Sequence, residues 1–139
     1  MRLVRAALAE VDAVEVDLDG QTGYLLPDDL EPTEPVEPWG ALLPSLDPTT
    51  MGWFERDWYL GPHKLDVFDT SGNAGATAWW EGRIVGGWSQ DESGEVVVQL
   101  LEDVGAGAQA VLEAEAERLT AWLDGTRVTA RFPSPLSKR

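Results

Sequence analysis

The sequence predicts an α+β chain: a helix and β-hairpin, then an antiparallel, barrel-like β domain carrying one long C-terminal helix. Apolar and polar residues alternate in short runs set between Gly-, Asp- and Ser-rich turns, as hairpin-linked strands do. A single apolar stripe at helical spacing crosses residues 103–123. The tract EPTEPVEP at 31–38 divides a block at 1–30 from a larger one at 39–139. Recurrent prolines with glutamates between them favour an extended, solvated linker.

In the first block Leu3, Ala6, Ala7, Leu8 and Val11 share one face, which predicts a short helix over 2–10. VEVDL at 14–18 alternates strictly and predicts a strand; Asp19-Gly20 supplies the turn and 22–26 the returning strand. In the second block 41–46 reads as a strand or extended entry, Asp47-Pro48-Thr49-Thr50 as a turn, and 52–60 as a short helix ended by Gly61-Pro62. Residues 65–69 read as a strand, and 76–81, 83–90 and 95–101 as a meander. Over 103–123 the stripe is Ala108, Val111, Leu112, Ala116, Leu119, Trp122 and Leu123, and Gly125 stops the helix. Val128, Ala130 and Phe132 alternate in a last strand at 126–132.

At 139 residues the chain can bury a core, removing roughly two-thirds of its unfolded surface from water. It has no cysteine, which excludes disulfides, thiol chemistry and Cys-based zinc sites. No apolar run is long enough to span a bilayer, and early acids at Glu10 and Asp12 argue against a signal peptide. A cytoplasmic setting without membrane contact is expected. Net charge is −15, and between positions 6 and 55 there are twelve acids and no Lys or Arg. Duplex binding draws much of its affinity from cations that displace counterions, so charge alone argues against strong DNA binding and for a soluble acidic surface.

The search for chemistry returns no catalytic constellation. His63 stands alone without a second His or Cys to share a zinc ion, and is expected on the surface. Asp47, between Leu46 and Pro48, is expected to cap a turn. Arg56 and Asp57 are expected to pair beneath the tryptophans, and Trp53, Trp58, Trp79 and Trp88 to fill the core. Glu113, Glu115 and Glu117 read as a solvated helix face rather than a metal site. Gly86-Gly87 inside a strand marks a bulge or close packing against Trp79 or Trp80. No metal or cofactor is expected.

The run Leu42-Leu43-Pro44-Ser45-Leu46-Asp47-Pro48-Thr49-Thr50-Met51-Gly52-Trp53, followed by Arg56-Asp57-Trp58-Tyr59-Leu60, resembles a family of bacterial winged-helix DNA-binding-domain proteins, in its actinobacterial branch. Gly72-Asn73-Ala74, Gly82-Arg83-Ile84-Val85-Gly86-Gly87-Trp88 and Arg131-Phe132-Pro133 carry the same resemblance. The family includes DNA glycosylases that unhook interstrand crosslinks and excise alkylated purines. The resemblance implies the last third of a longer protein: a winged-helix remnant at 1–30, then a terminal barrel-like domain at 39–139. The glycosylases use a Gln-x-Gln or Gln-x-Asp motif nearer their N-terminus. Gln21, Gln90, Gln99 and Gln109 stand in other contexts, so no catalytic residue is carried over.

The leading expectation is a non-catalytic scaffold or accessory domain that contacts double-stranded DNA within a longer protein. Its expected phosphate contacts are Lys64, Arg83, Arg127 and Arg131. A free-standing acidic module that binds a protein partner is the alternative, and a hydrolase built on Asp47 ranks last. Leu3, Leu8 and Val11 leave self-association open.

Overall fold

The computed structural model describes residues 2–18, 20–131 and 133–138, and divides into two compact units, Met1–Val36 and Glu37–Arg139. The first unit holds helix α1 (Arg2–Glu10) and a hairpin of β1 (Val14–Leu18) and β2 (Gln21–Leu25), with Val14 opposite Leu25 and Leu18 opposite Gln21. The Asp17 carboxylate accepts from the Gly20 N–H at 2.9 Å, and Gly20 sits at φ 86°, where a side chain would strain the turn.

The second unit is an antiparallel sheet in the order β3 (Gly40–Leu43), β4 (Thr77–Trp80), β5 (Arg83–Gln90), β6 (Val96–Leu100). Helices cover both faces. On one face lies the long α5 (Gly105–Leu123), whose Leu112, Ala116 and Leu123 pack with Ala78, Val85, Trp88 and Val96. On the other lie three single-turn helices, α2 (Pro48–Met51), α3 (Asp57–Leu60) and α4 (Lys64–Val67), which bring Tyr59, Leu60, Val67 and Phe68 against Trp79 and Ile84.

The sheet is open, not a barrel. Its edges β3 and β6 do not pair, because α5 packs against both and fills the space that closure would need. The expected closing strand is also missing over 126–131; Phe132 lies outside the described residues. The Gln90 side chain takes the place of a strand neighbour there: its Nε2 donates to Thr126 O at 3.0 Å and its Oε1 accepts from Val128 N–H at 2.7 Å.

Two other segments differ from the sequence reading. Residues 65–69 were expected as a strand, but Lys64–Val67 is helical, with the N–H groups of Asp66 and Val67 both donating to His63 O at 3.0 Å. Adjacent Val67 and Phe68 are both buried, which strand alternation cannot deliver for a one-faced strand. The helix expected at 52–60 shrinks to Asp57–Leu60, leaving the preceding residues as an exposed bend. The meander, its Glu81-Gly82 turn with φ of 46° and 83°, and α5 follow the sequence pattern, except that Trp122, expected on the apolar stripe, is exposed.

The register shift between Ala78 and Trp79 leaves Val85 of β5 as the extra residue, a bulge beside Gly86 and Gly87. A side chain at Gly86 would strike the Gln99 carbonyl, and one at Gly87 would meet Ala76 O and Leu136. The tight neighbours are therefore β6, β4 and the C-terminal tail rather than Trp79 or Trp80. Gly86→Ala is expected to destabilise the protein by about 2 kcal/mol through overpacking. Gly107→Ala, in α5 with open space around its missing Cβ, is expected to stabilise by about 1 kcal/mol. Urea unfolding of both variants checks the opposite signs.

A second expectation concerns acid. Asp69 organises its turn by accepting from Asn73 Nδ2 at 2.9 Å and from the N–H groups of Ser71 and Asn73 at 2.8 Å. These bonds, the Asn73 side chain first, hold its pKa below the ordinary 3.8. A depressed carboxyl stabilises the fold above its ordinary pKa, and that contribution is lost as pH falls through the folded value. The Asp69 carboxyl carbon shift in NMR should titrate below 3.8, together with the Asn73 amide; a midpoint at or above 3.8 contradicts this arrangement.

Candidate nucleic-acid interface

At one end of the sheet the β4–β5 turn, the exit of β6 and the start of α4 converge. His63, just before α4, is only 7% exposed, contrary to the surface position expected for it. Its Nε2 lies 2.8 Å from Glu102 Oε2, and an ionised carboxylate only accepts, so Nε2 carries the proton. Arg83, the first residue of β5, donates from Nη2 to Glu102 Oε1 at 3.1 Å. Glu102 thus ties α4 to the sheet, and with both oxygens engaged it is not a free base. Lys64 follows His63 directly and is exposed. The structure therefore gathers His63 and Arg83 around one carboxylate, leaving half of the Arg83 side chain open to solvent.

Arg127 lies at the opposite end of β5. Its Nη1 reaches Glu92 O at 3.5 Å beside the β5–β6 turn. At ~3.3 Å per residue, the ends of β5 are about 23 Å apart. Arg131 is exposed farther along the tail, between Val128, held by Gln90, and Ser134, which lies beside Gly75. Arg83 and Arg127 therefore stand at opposite ends of β5 rather than in one patch.

Between β3 and α4 the structure arranges the motif residues Pro44, Asp47, Pro48, Trp53, Arg56, Asp57 and Trp58. Asp47 caps α2, accepting the Thr49 N–H at 2.8 Å with Pro48 in the first helical position, as expected. Arg56 does not form the expected pair with Asp57. It donates to Thr50 O at 3.0 Å and lies 4.9 Å over the Phe68 ring, while Asp57 is exposed in the first turn of α3. Of the tryptophans expected inside, Trp79 and Trp88 are buried, but Trp53 and Trp58 are 61% and 74% exposed. Phe54 between them is 92% exposed. The result is a wide aromatic surface that can stack on bases or pack on a protein. Tyr59 stacks on Trp79 at 5.3 Å between ring centres; burial raises its pKa and nearby Arg56 pulls it back.

Sequence reasoning missed the His63–Glu102–Arg83 cluster, whose members are 19 and 39 residues apart along the chain. Only the pattern of a Gly-Pro turn before His63 hinted at a fixed position. Among the described residues no cluster of three His, Cys, Asp or Glu could hold a metal, and no helix is long and apolar enough to cross a membrane.

A sequence profile for the family described as DNA glycosylase AlkZ-like matches residues 1–122. Among solved structures, the fold is similar to Streptomyces sahachiroi DNA glycosylase AlkZ, with a TM-score of 0.66 and 23% sequence identity. The similarity covers 95% of this chain and 35% of that one, so the chain spans about a third of the length of that relative. No curated protein matches the chain.

Removing the shared carboxylate should cost more than removing its exposed partner Arg83. Glu102→Ala leaves the buried His63 N–H without an acceptor, an expected loss of about 1–3 kcal/mol. Arg83→Ala breaks only a half-exposed ion pair, an expected loss below about 1 kcal/mol. Chemical unfolding of the two variants side by side checks the order.

Proposed function

The chain belongs to the AlkZ-like DNA glycosylase family, and on that premise we propose that it is the C-terminal, DNA-contacting part of a winged-helix repair protein. In this reading residues 1–30 are a winged-helix remnant made of α1 and the β1–β2 hairpin, 31–38 a linker, and 39–139 the terminal β domain. The chain itself is non-catalytic and positions DNA in the bacterial cytoplasm for a site elsewhere in the longer protein. The observation that carries this is the profile match across both units, joined by an AlkZ-like fold over 95% of the chain.

Lys64, Arg83, Arg127 and Arg131 are the proposed phosphate contacts. Their exposure supports the assignment, and so does their spread. Arg83 and Arg127, about 23 Å apart along β5, match roughly seven base-pair steps of a duplex, a spacing that fixes register and orientation without reading bases. No member of the set lies in the cation-free stretch from 6 to 55, so DNA would meet the second unit.

Binding of a fluorescent DNA duplex should weaken with salt by a slope of about 0.9 for each phosphate contact. The variant carrying Lys64→Gln, Arg83→Gln, Arg127→Gln and Arg131→Gln should flatten that slope. An unchanged slope overturns the four assignments, and no binding by the unaltered chain at low salt overturns the DNA-contacting role.

A further inference from the structure

The outer edge of β6 and the flank of α5 enclose an open groove of about 620 Å³, lined by Val96, Val98, Leu100, Leu112, Ala116 and Thr120. The backbone register decides what that groove offers. Leu101 N–H donates to Val85 O at 2.9 Å, so the odd-numbered residues of β6 turn their backbone groups toward β5. The even-numbered residues therefore turn theirs outward. Val96 shows this directly, donating its N–H to Thr120 Oγ1 on α5 at 2.8 Å. Among the described residues the N–H groups of Val98 and Leu100 have no partner. β6 is an edge strand, and these groups form an unused half-ladder.

Side chains set the chemistry around it. Leu112 packs with Leu100 and Val98, Ala116 with Val98 and Val96, and Thr120 bonds Val96, so α5 runs antiparallel alongside β6. Gln109, Glu113 and Glu117 follow one another at helical spacing on the outer lip, and Glu95 closes the far end. Four helical residues advance about 6 Å, and two strand residues advance about 6.7 Å. Glu113 and Glu117 are thus spaced like alternate residues of a strand laid beside β6.

We propose that this groove binds an extended basic segment of a partner protein, which adds to the sheet as a further strand. The unused groups of Val98 and Leu100 hold its backbone, as in β-strand addition. Its alternate Lys or Arg residues lay their methylene stems beside the half-buried Val98 and Leu100 and end on Glu113 and Glu117. Charge selects this occupant. A second copy of the chain would bring the same acidic lip and a net charge of −15 against itself. Duplex DNA would place phosphates against three carboxylates. The inference does not rest on the DNA-contacting role, since Lys64, Arg83, Arg127 and Arg131 are not among the groove residues.

The probe is an acetylated, amidated peptide of alternating Lys and Val, about seven residues long to match one strand, titrated into the full chain and followed by amide NMR. The Val98 and Leu100 amides should shift and gain exchange protection. Those of Val97 and Gln99, already bonded to β5, should not gain protection. Peptides methylated on all lysine amides or on all valine amides should differ, one of them losing at least about tenfold in affinity because one alternation faces β6. Replacing Lys by Glu in the peptide should abolish binding. The double variant Glu113→Gln, Glu117→Gln, at exposed positions, should weaken it about fivefold with unchanged circular dichroism. Three outcomes overturn the proposal. One is no effect on Val98 and Leu100 up to about 1 mM peptide. Another is equal binding by both methylated peptides, which would mean attraction by charge alone. The last is occupation of the same amides by a DNA duplex or by a second copy of the chain in the absence of peptide.

Discussion

β5 is buried on both faces, and this constraint determines what surrounds it. Residues 84–88 are all buried, with Val85 and Trp88 packed toward α5 and Ile84 toward α3 and α4. Each large apolar side chain placed there contributes roughly 1.5–3 kcal/mol, but only if helices cover both sides and neighbouring backbones come close. Gly86 and Gly87 permit the close approach. The indole N–H groups brought inside also find acceptors: Trp88 Nε1 donates to Leu43 O at 2.9 Å and Trp79 Nε1 to Thr77 Oγ1 at 2.8 Å. A closed barrel would need β3 and β6 to meet. With α5 lying across the sheet and packing on both, they stay apart as edges.

The parts of this fold governed by local periodicity were legible in the sequence. The α1 helix, the strand at 14–18 and α5 each repeat one pattern long enough to identify it. The stretch between β3 and β4 was not. There the chain makes three single-turn helices, each too short to show a period, the first fixed by the Asp47 cap and the others by tertiary contacts. The Asp47 cap was legible because Asp before Pro supplies its own mechanism. The burial of His63 was not, because it depends on Glu102 and Arg83, brought near by the sheet register rather than by spacing. The last strand failed for a related reason. Its alternation is real, but the Gln90 amide meets its backbone groups first, and no local signal announces that competition.

The aromatic content misled in an instructive way. Seven tryptophans in a chain of this size read as core material. Yet Trp53 and Trp58 flank Glu55, Arg56 and Asp57, and a segment holding three consecutive charged residues is hard to bury. Arg56 resolves the conflict by turning inward over Phe68, carrying its own charge under a ring, while the flanking tryptophans turn out. What the motif builds is therefore the corner from Asp47 to Leu60, not a tryptophan cluster inside it.

Charge is the constraint on any functional reading. A net charge of −15 repels a polyanion at long range, so this chain alone starts from a deficit that a few separated cations must offset. That arithmetic suits the proposed accessory role, in which a longer protein would supply most of the affinity and the proposed contacts would adjust register. The same acidity has the opposite consequence at the β6 edge. There the carboxylates sit beside unpaired backbone groups, protect the edge from pairing with its own kind, and leave a basic strand as the one partner that both the backbone and the side chains favour. One distribution of charge thus limits the first interaction and selects the second.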